Sequence, residues 1–364
     1  MNFCPNCGNP CSGDNFCSRC GRDLREQSAN PPKSAEPDLF SPPPQAEMTV
    51  SEALDFLGDL ADSYDTEKQE ALRAEALRQK LYELDAVYGF RIQNGVLERY
   101  SQLETHVTIP DCVTEIGERA FAGNYSMESL EIPDSVTRIG RSAFDGCSAL
   151  KSVKLPAGLE EIPENCFWSC RALERVEIPH GVKRIGKMAF DDCEALHTVV
   201  LPDSLTEIDD EAFCRCVNLR RITVPSRVSR IGKMVFSECT SLESADLSSA
   251  LSHLETAAFY RCTSLARITL PSSLVTIGDR AFGECASLSF VSIPNSVISI
   301  GEEAFFRCSS LWTVEIPLSV KSIGFSAFSQ CEKLRTALVP HRLKAAFSSA
   351  MDYETESNTY VELY

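Results

Sequence analysis

From residue 107 to residue 340 the apolar positions fall on one motif that returns every 23 residues without a gap. Proline marks the register at Pro110, Pro133, Pro156, Pro179, Pro202, Pro225, Pro271, Pro294, Pro317 and Pro340, with Ser248 in the one remaining place. A phenylalanine stands eleven residues after each of the first ten markers, from Phe121 to Phe328. In the unit LARITLPSSLVTIGDRAFGEC, Ile268 and Leu270 point one way and Arg267 and Thr269 the other. That alternation predicts a strand. The proline ends it, because it has no amide to give to a sheet ladder. Leu274 and Ile277 then turn inward, Gly278 is placed to turn the chain, and Ala281 and Phe282 fill the middle of the coil.

One such coil leaves its apolar residues open above and below, so it buries them only against copies of itself. A fixed period of 20 to 29 residues is the mark of a leucine-rich-repeat solenoid, in which each unit touches its neighbours alone. The expected fold is therefore a β-rich repeat solenoid of about ten 23-residue coils with a parallel sheet, accompanied by a small N-terminal zinc ribbon and a helical cap. Two coils depart from the pattern: that around Ser248, with Ala245, Leu254 and Glu255, and that holding Pro163 and Cys166. The runs IPDSVTRIGRSAFDGC, SIPNSVISIGEEAFFRC and EIPLSVKSIGFSAFSQC resemble the BspA-like leucine-rich-repeat family over about residues 107 to 340. The resemblance implies the solenoid and an interaction module; many members of that family are exported adhesins.

At the ends of the repeats, FRIQNGVLERY alternates around Asn94-Gly95, a pair suited to a tight hairpin turn, and is expected to cap the sheet. Before it, Thr66-Glu-Lys-Gln69 reads as a capping box. Leu77, Leu81, Leu84 and Tyr88 follow on one helical face, expected to cover the open end of the stack. Ser51 to Asp62 suits a shorter helix. After Pro340, the early part of HRLKAAFSSAMDYETESNTYVELY suits a helix, and Thr359 to Leu363 alternate like an edge strand.

The N-terminus carries different chemistry. Cys4-Pro-Asn-Cys7-Gly and Cys17-Ser-Arg-Cys20-Gly are two CxxC knuckles at the spacing that closes four thiolates around Zn²⁺. They resemble the small N-terminal zinc ribbons of bacterial and archaeal multidomain proteins. Four cysteines leave no position for a water, so the expected zinc is structural, with Cys4, Cys7, Cys17 and Cys20 as ligands and Cys11 outside the set. A segment this short draws its folding free energy from the metal, on the order of 10 to 16 kcal/mol.

Composition and charge remove several functions. The chain has 35 Lys+Arg against 52 Asp+Glu, a formal charge of -17, so it lacks the basic excess that phosphate binding requires. MNFCPNCGNPC lacks the basic stretch and apolar core of a secretory signal, and no apolar run is long enough to span a bilayer. These point to the cytoplasm, where 17 cysteines are metal ligands or buried thiols. Nine of them, Cys147 to Cys331, follow each phenylalanine from Phe144 to Phe328 by three residues and read as repeat packing. The five histidines lack a partner at ligand spacing, and no phosphate loop, GxGxxG or nucleophile elbow occurs.

Five residues after the marker the charge alternates, Glu115, Arg138, Glu161, Arg184, Glu207, Arg230, so each basic side chain is expected between acidic ones. The outward row of the strands stays available: Arg175, Arg221 and Arg267, then Phe290 and nearby Trp312, a composition typical of energetic anchors. The expected organisation is a zinc ribbon at 1–24, a linker at 25–49, a helical segment at 50–88, the solenoid with its hairpin cap at 89–345, and a C-terminal cap or tail at 346–364. The expected function is a non-enzymatic, cytoplasmic protein-interaction or scaffold module without a small-molecule substrate. Its rivals are an exported adhesin and a nucleic-acid accessory protein that uses Arg19, Arg22 and Arg25 of the ribbon.

Overall fold

The computed structural model describes Asn2–Phe3, Pro10–Cys11 and residues 66–364. The chain forms two compact units, Met1–Thr49 and Val50–Tyr364. In the first, β1 (Asn2–Phe3) and β2 (Pro10–Cys11) pair antiparallel, with Asn2 opposite Cys11 and Phe3 opposite Pro10. The segment 51–62, expected as a short helix, lies outside the described residues.

In the second unit the repeats form the expected stack of parallel strands, paired in several successive runs. The alternating segment before most of the markers is a three-residue strand, such as Arg175–Glu177 or Arg221–Thr223, paired in register with the strand one period away, whereas before Pro294 only Phe290 bridges to Thr313. A second parallel ladder, which hydropathy alone did not separate, is built from dipeptides such as Arg184–Ile185 and Glu207–Ile208. Its isoleucines point into the core, and its polar residues point out. Amides of the next turn add a third set of cross-coil bonds. Met188, Phe190 and Asp192 donate to Asp210, Ala212 and Cys214 in the following coil.

The core is one column. Phe121 through Phe328 stack with ring centroids 5.0 to 5.8 Å apart. Tyr100 extends the column at one end, 5.2 Å from Phe121, and Phe347 at the other, 5.3 Å from Phe328, making about twelve turns rather than ten. Offset aromatic pairs contribute about 0.5 to 1.5 kcal/mol each beyond the area they bury, so the column stabilises every coil junction.

Glycine has a different role from the expected one. Gly232 has an ordinary φ, but a Cβ there would lie 2.3 Å from the Asp210 amide nitrogen. It is required by close approach to the preceding coil. The left-handed positions fall two and six residues later and are held mostly by other residues, among them Met188 and Met234, both at φ 53°, and Asp192 at φ 64°.

The hairpin forms as expected from β3 (Phe90–Gln93) and β4 (Val96–Tyr100), with Asn94 and Gly95 both at positive φ. β4 then pairs in parallel with Glu115–Ile116 and seeds the second ladder. Helix α1 (Thr66–Ala86) precedes it, but its expected apolar face docks only at the C-terminal end. Leu84 is buried and Leu81 partly so, whereas Leu77 and Tyr88 are exposed. At the other end α2 (Lys344–Ser349) supplies Phe347, α3 (Tyr353–Asn358) follows, and Tyr360–Leu363 pairs in parallel with Thr336–Val339. The Ser248 coil packs like the rest, with Ala245, Leu251 and Leu254 buried. The Ser248 hydroxyl donates to the Ser226 carbonyl at 3.0 Å and accepts from the Ala250 amide.

Candidate interaction surface

The three-residue strands hold every second side chain inside, so the residue four before each marker faces solvent at a fixed step along the stack. Register places Arg175 between Ser152 and Thr198, Ser244 between Arg221 and Arg267, and Phe290 beside Thr313. Strand pairing divides the residues expected here into three sets. Arg221 and Arg267 lie two coils apart in a run of three strands with Ser244 between them, and Phe290, in the next coil, is bridged only to Thr313, which follows Trp312. Arg175 belongs to a separate run of five strands that ends at Thr198–Val200, and it pairs with Glu177 at 3.6 Å.

Arg221 and Arg267 make no ion pair among the described residues. They flank a cleft of about 470 Å³ over Ser244, with Glu243 and Asp246 on its walls. Arg267 also borders a second cleft of about 630 Å³, whose far side is Phe290 and Pro294. Phe290 is 58 % exposed and Trp312 57 %, well above the solvent access of an ordinary aromatic side chain. Small Ser and Thr residues between the arginines leave these grooves open. The face thus offers two unpaired guanidinium groups beside two aromatic rings on a rigid ladder.

The second ladder carries the alternating charges, and they pair across coils. Glu115 binds Arg138, Glu161 binds Arg184, and Glu207 binds both Arg184 and Arg230. Reading by type missed Asp209, which stands where other coils have the close-approach glycine. Its largely buried carboxylate meets Arg184 and, at 2.8 Å, Arg230. Its signal was its place in the repeat, not its charge. This face is self-neutralised and has little to offer an anion.

The cysteine ladder is interior. Each thiol from Cys147 to Cys331 donates to the carbonyl of a phenylalanine in the preceding coil, at 3.1 to 3.3 Å. The first coil has Asn124 in that position, whose side-chain amide donates to the Gln102 carbonyl. Burial pushes the thiols of Cys193 and Cys239 up far enough to keep them protonated at neutral pH. His106 and His253 bond to the hydroxyls of their register partners Ser129 and Thr276.

Among the described residues no group of three His, Cys, Asp or Glu side chains could hold a metal ion. Cys4, Cys7, Cys17 and Cys20 lie outside those residues, as do Arg19, Arg22 and Arg25. Among the same residues no helix is long and apolar enough to cross a membrane.

Comparison with known proteins agrees with the repeat architecture. A family profile described as BspA type leucine rich repeat region, in six copies, matches residues 91–216, 160–274 and 252–361. A leucine rich cell surface protein from Faecalibacterium prausnitzii is 28 % identical over 74 % of this chain and 90 % of its own, with a TM-score of 0.45. The pneumococcal vaccine antigen PcpA is 24 % identical over 67 % of this chain and 74 % of its own, at 0.48. A leucine rich repeat protein from T. pallidum is 22 % identical over 71 % and 90 %, at 0.38. No curated protein matches the chain.

Proposed function

Because the chain belongs to the BspA-type leucine-rich-repeat family, we propose that it is a non-enzymatic module that binds another protein through the outward strand face of its solenoid. The observation that carries this reading is the placing of Arg221 and Arg267, which make no ion pair among the described residues, in alternate coils of the outward row, with exposed Phe290 in the coil after Arg267. Arginine and aromatic side chains dominate interface energetics, because they combine large contact area with directional donors. A ladder fixed by three sets of cross-coil bonds meets a partner without first being ordered, which removes much of the entropic cost of association. Trp312 extends the contact by one coil, and Arg175 is a peripheral member.

The second part of the proposal is a structural Zn²⁺ held by Cys4, Cys7, Cys17 and Cys20. It is supported by the CxxC spacing and by the pairing of β1 with β2, which brings together the segments on either side of Cys4 and Cys7. The zinc would supply folding free energy to a short segment and no chemistry. The third part is a cytoplasmic location, which is supported by the free, mostly buried thiols of the repeats. Surface labelling of intact cells that modified this protein would replace that assignment with the exported-adhesin reading.

The test uses the full chain with a photocrosslinking residue placed singly at Phe290, Trp312 or, as a control away from the strand face, Phe325. Capture of one discrete partner from Phe290 and Trp312 but not Phe325, lost in the R221A/R267A variant, is the expected result. Equal capture from all three positions refutes the assignment of the face.

A further inference from the structure

Between residues 119 and 307 the arginines of the solenoid pair with carboxylates, as Arg138 does with Glu115 and Arg280 with Glu303. Arg220, Arg221, Arg227 and Arg267 are the exceptions: all are exposed, and none makes an ion pair among the described residues. They gather on neighbouring coils. Arg221 and Arg267 head the strands Arg221–Thr223 and Arg267–Thr269, Arg220 precedes the first of these, and Arg227 follows its proline. The acids on these strands and their flanks are Glu243 and Asp246, so basic groups outnumber acidic ones here although the whole chain carries -17.

The second ladder shows what the fold elsewhere puts between two such arginines. There Glu207 is the register partner of both Arg184 and Arg230, and it pairs with both. In the outward row the corresponding place is held by Ser244, the register partner of both Arg221 and Arg267. The cleft of about 470 Å³ lies open over it. Two guanidinium groups whose backbones stand two strand spacings apart, about 10 Å, thus lack the carboxylate they are placed to share. Glu243 and Asp246 stay on the walls of the cleft and leave that central place free.

We propose that the protein partner supplies the missing carboxylate: an aspartate or glutamate side chain of an extended segment enters the cleft over Ser244, between Arg221 and Arg267, and a large apolar side chain of the same segment packs on Phe290. The inference rests on the strand face being the binding surface and adds the chemistry of what that face takes. Phe290 lies two strand spacings beyond Ser244, about 10 Å, which an extended chain covers in about three residues. The coil segment around it, residues 286–298, has no charged side chain, so it suits an apolar contact. A nucleic acid would need basic groups along its whole track. Here they stop at Arg267 and are interrupted by Glu243 and Asp246, which favours an acidic protein segment.

A display library of random peptides is panned against the full chain, and binding of the enriched peptides is measured by fluorescence anisotropy. Enrichment of Asp or Glu about three residues from Phe, Trp or Leu is expected. S244E puts an acid where Glu207 stands in the second ladder, so it should keep or raise the melting temperature while weakening binding about tenfold or more. S244Q, of similar size without the charge, should weaken binding by less than about threefold. R221A/R267A, which alters two exposed side chains, should weaken it as much as S244E. Enriched peptides that carry no acid, or equal effects of S244E and S244Q, overturn the inference. If acid-free peptides are lost in F290A, the strand-face reading stands without it; peptides that F290A, S244E and R221A/R267A all leave bound remove both. Failure to enrich any peptide, or tighter binding of single-stranded oligothymidylate than of the peptides, also overturns the inference.

Discussion

The thiol of Cys239 donates to the carbonyl of Phe213 at 3.2 Å, and the amide of Cys216 donates to that same carbonyl at 3.4 Å. Each buried phenylalanine carbonyl from Phe121 to Phe305 has a second lone pair, and the thiol of the following coil is the group that fills it. Cysteine suits the position because it packs like a small hydrophobe yet keeps one weak donor. Cys239→Ala should therefore destabilise the solenoid by about 1 to 2 kcal/mol, combining a lost hydrogen bond with a small cavity, as read by urea denaturation. Native ladder thiols should react with a disulfide reagent only as fast as the coils open.

Arg184 faces Glu161, Glu207 and Asp209 at once. Arg184→Ala removes an ion-pair hub but leaves Asp209 its bond to Arg230, so the expected loss is about 1 kcal/mol. Arg184→Glu places a fourth carboxylate among three and should cost about 1 kcal/mol more. Equal melting temperatures for the two variants would refute pairing as the reason for the alternation.

Burial raises the Asp191 carboxyl to about 6, against about 3.9 in an unfolded chain. Between those values the folded protein holds a proton that the unfolded chain has released. This group therefore favours the folded state fully below about pH 4, and that contribution is lost as pH rises through about 6. Asp191→Asn lacks the effect. Its stability relative to the parent protein should improve by about 1 to 3 kcal/mol between pH 4 and pH 7, read as the difference between the two urea midpoints at each pH. Taking the difference cancels other carboxylates such as Glu284 and Asp352, whose lowered pKa values act in the opposite sense.

Metal analysis of the purified chain should find about one zinc, since four thiolates complete a tetrahedral shell. Cys17→Ser should release it, and lowering the pH should do the same as the thiolates take up protons. Full zinc retention in that variant would point to ligands other than the two knuckles.

Gly232→Ala and Gly123→Ala separate two uses of glycine. At Gly232 the new methyl meets the Asp210 amide nitrogen at 2.3 Å and the Asp209 carbonyl carbon at 2.5 Å, so two coils must part. A loss of about 3 kcal/mol or more is expected, the scale of overpacking in a tight core. At Gly123 nothing lies within 4 Å, and only its φ of +76° resists alanine, for about 1 kcal/mol. Thermal melts of both variants give the comparison.

The repeat period, the inward row and the phenylalanine column were legible in the sequence because each recurs at a constant spacing. What escaped it breaks that spacing or is too short to show it. Tyr100 and Phe347 join the column 21 and 19 residues from their neighbours Phe121 and Phe328 rather than 23. The second ladder uses two residues per coil, too few for alternation to appear. Left-handed backbone at Met188 and Met234 could not be read from residue type, because cross-coil bonds such as Met188 to Asp210 hold a conformation that methionine does not itself favour. The three sets of the outward row separate only when register shows where each run of strands ends.

The alternation of Glu161, Arg184, Glu207 and Arg230 also limits how this molecule can change length. Excising a single coil from that stretch would bring Glu161 against Glu207, or Arg184 against Arg230. Excising two neighbouring coils would restore opposite charges at the new seam. The unit of growth or loss by recombination is thus one coil where packing alone governs and a pair where charge does, so viable deletions through this stretch should come in even steps.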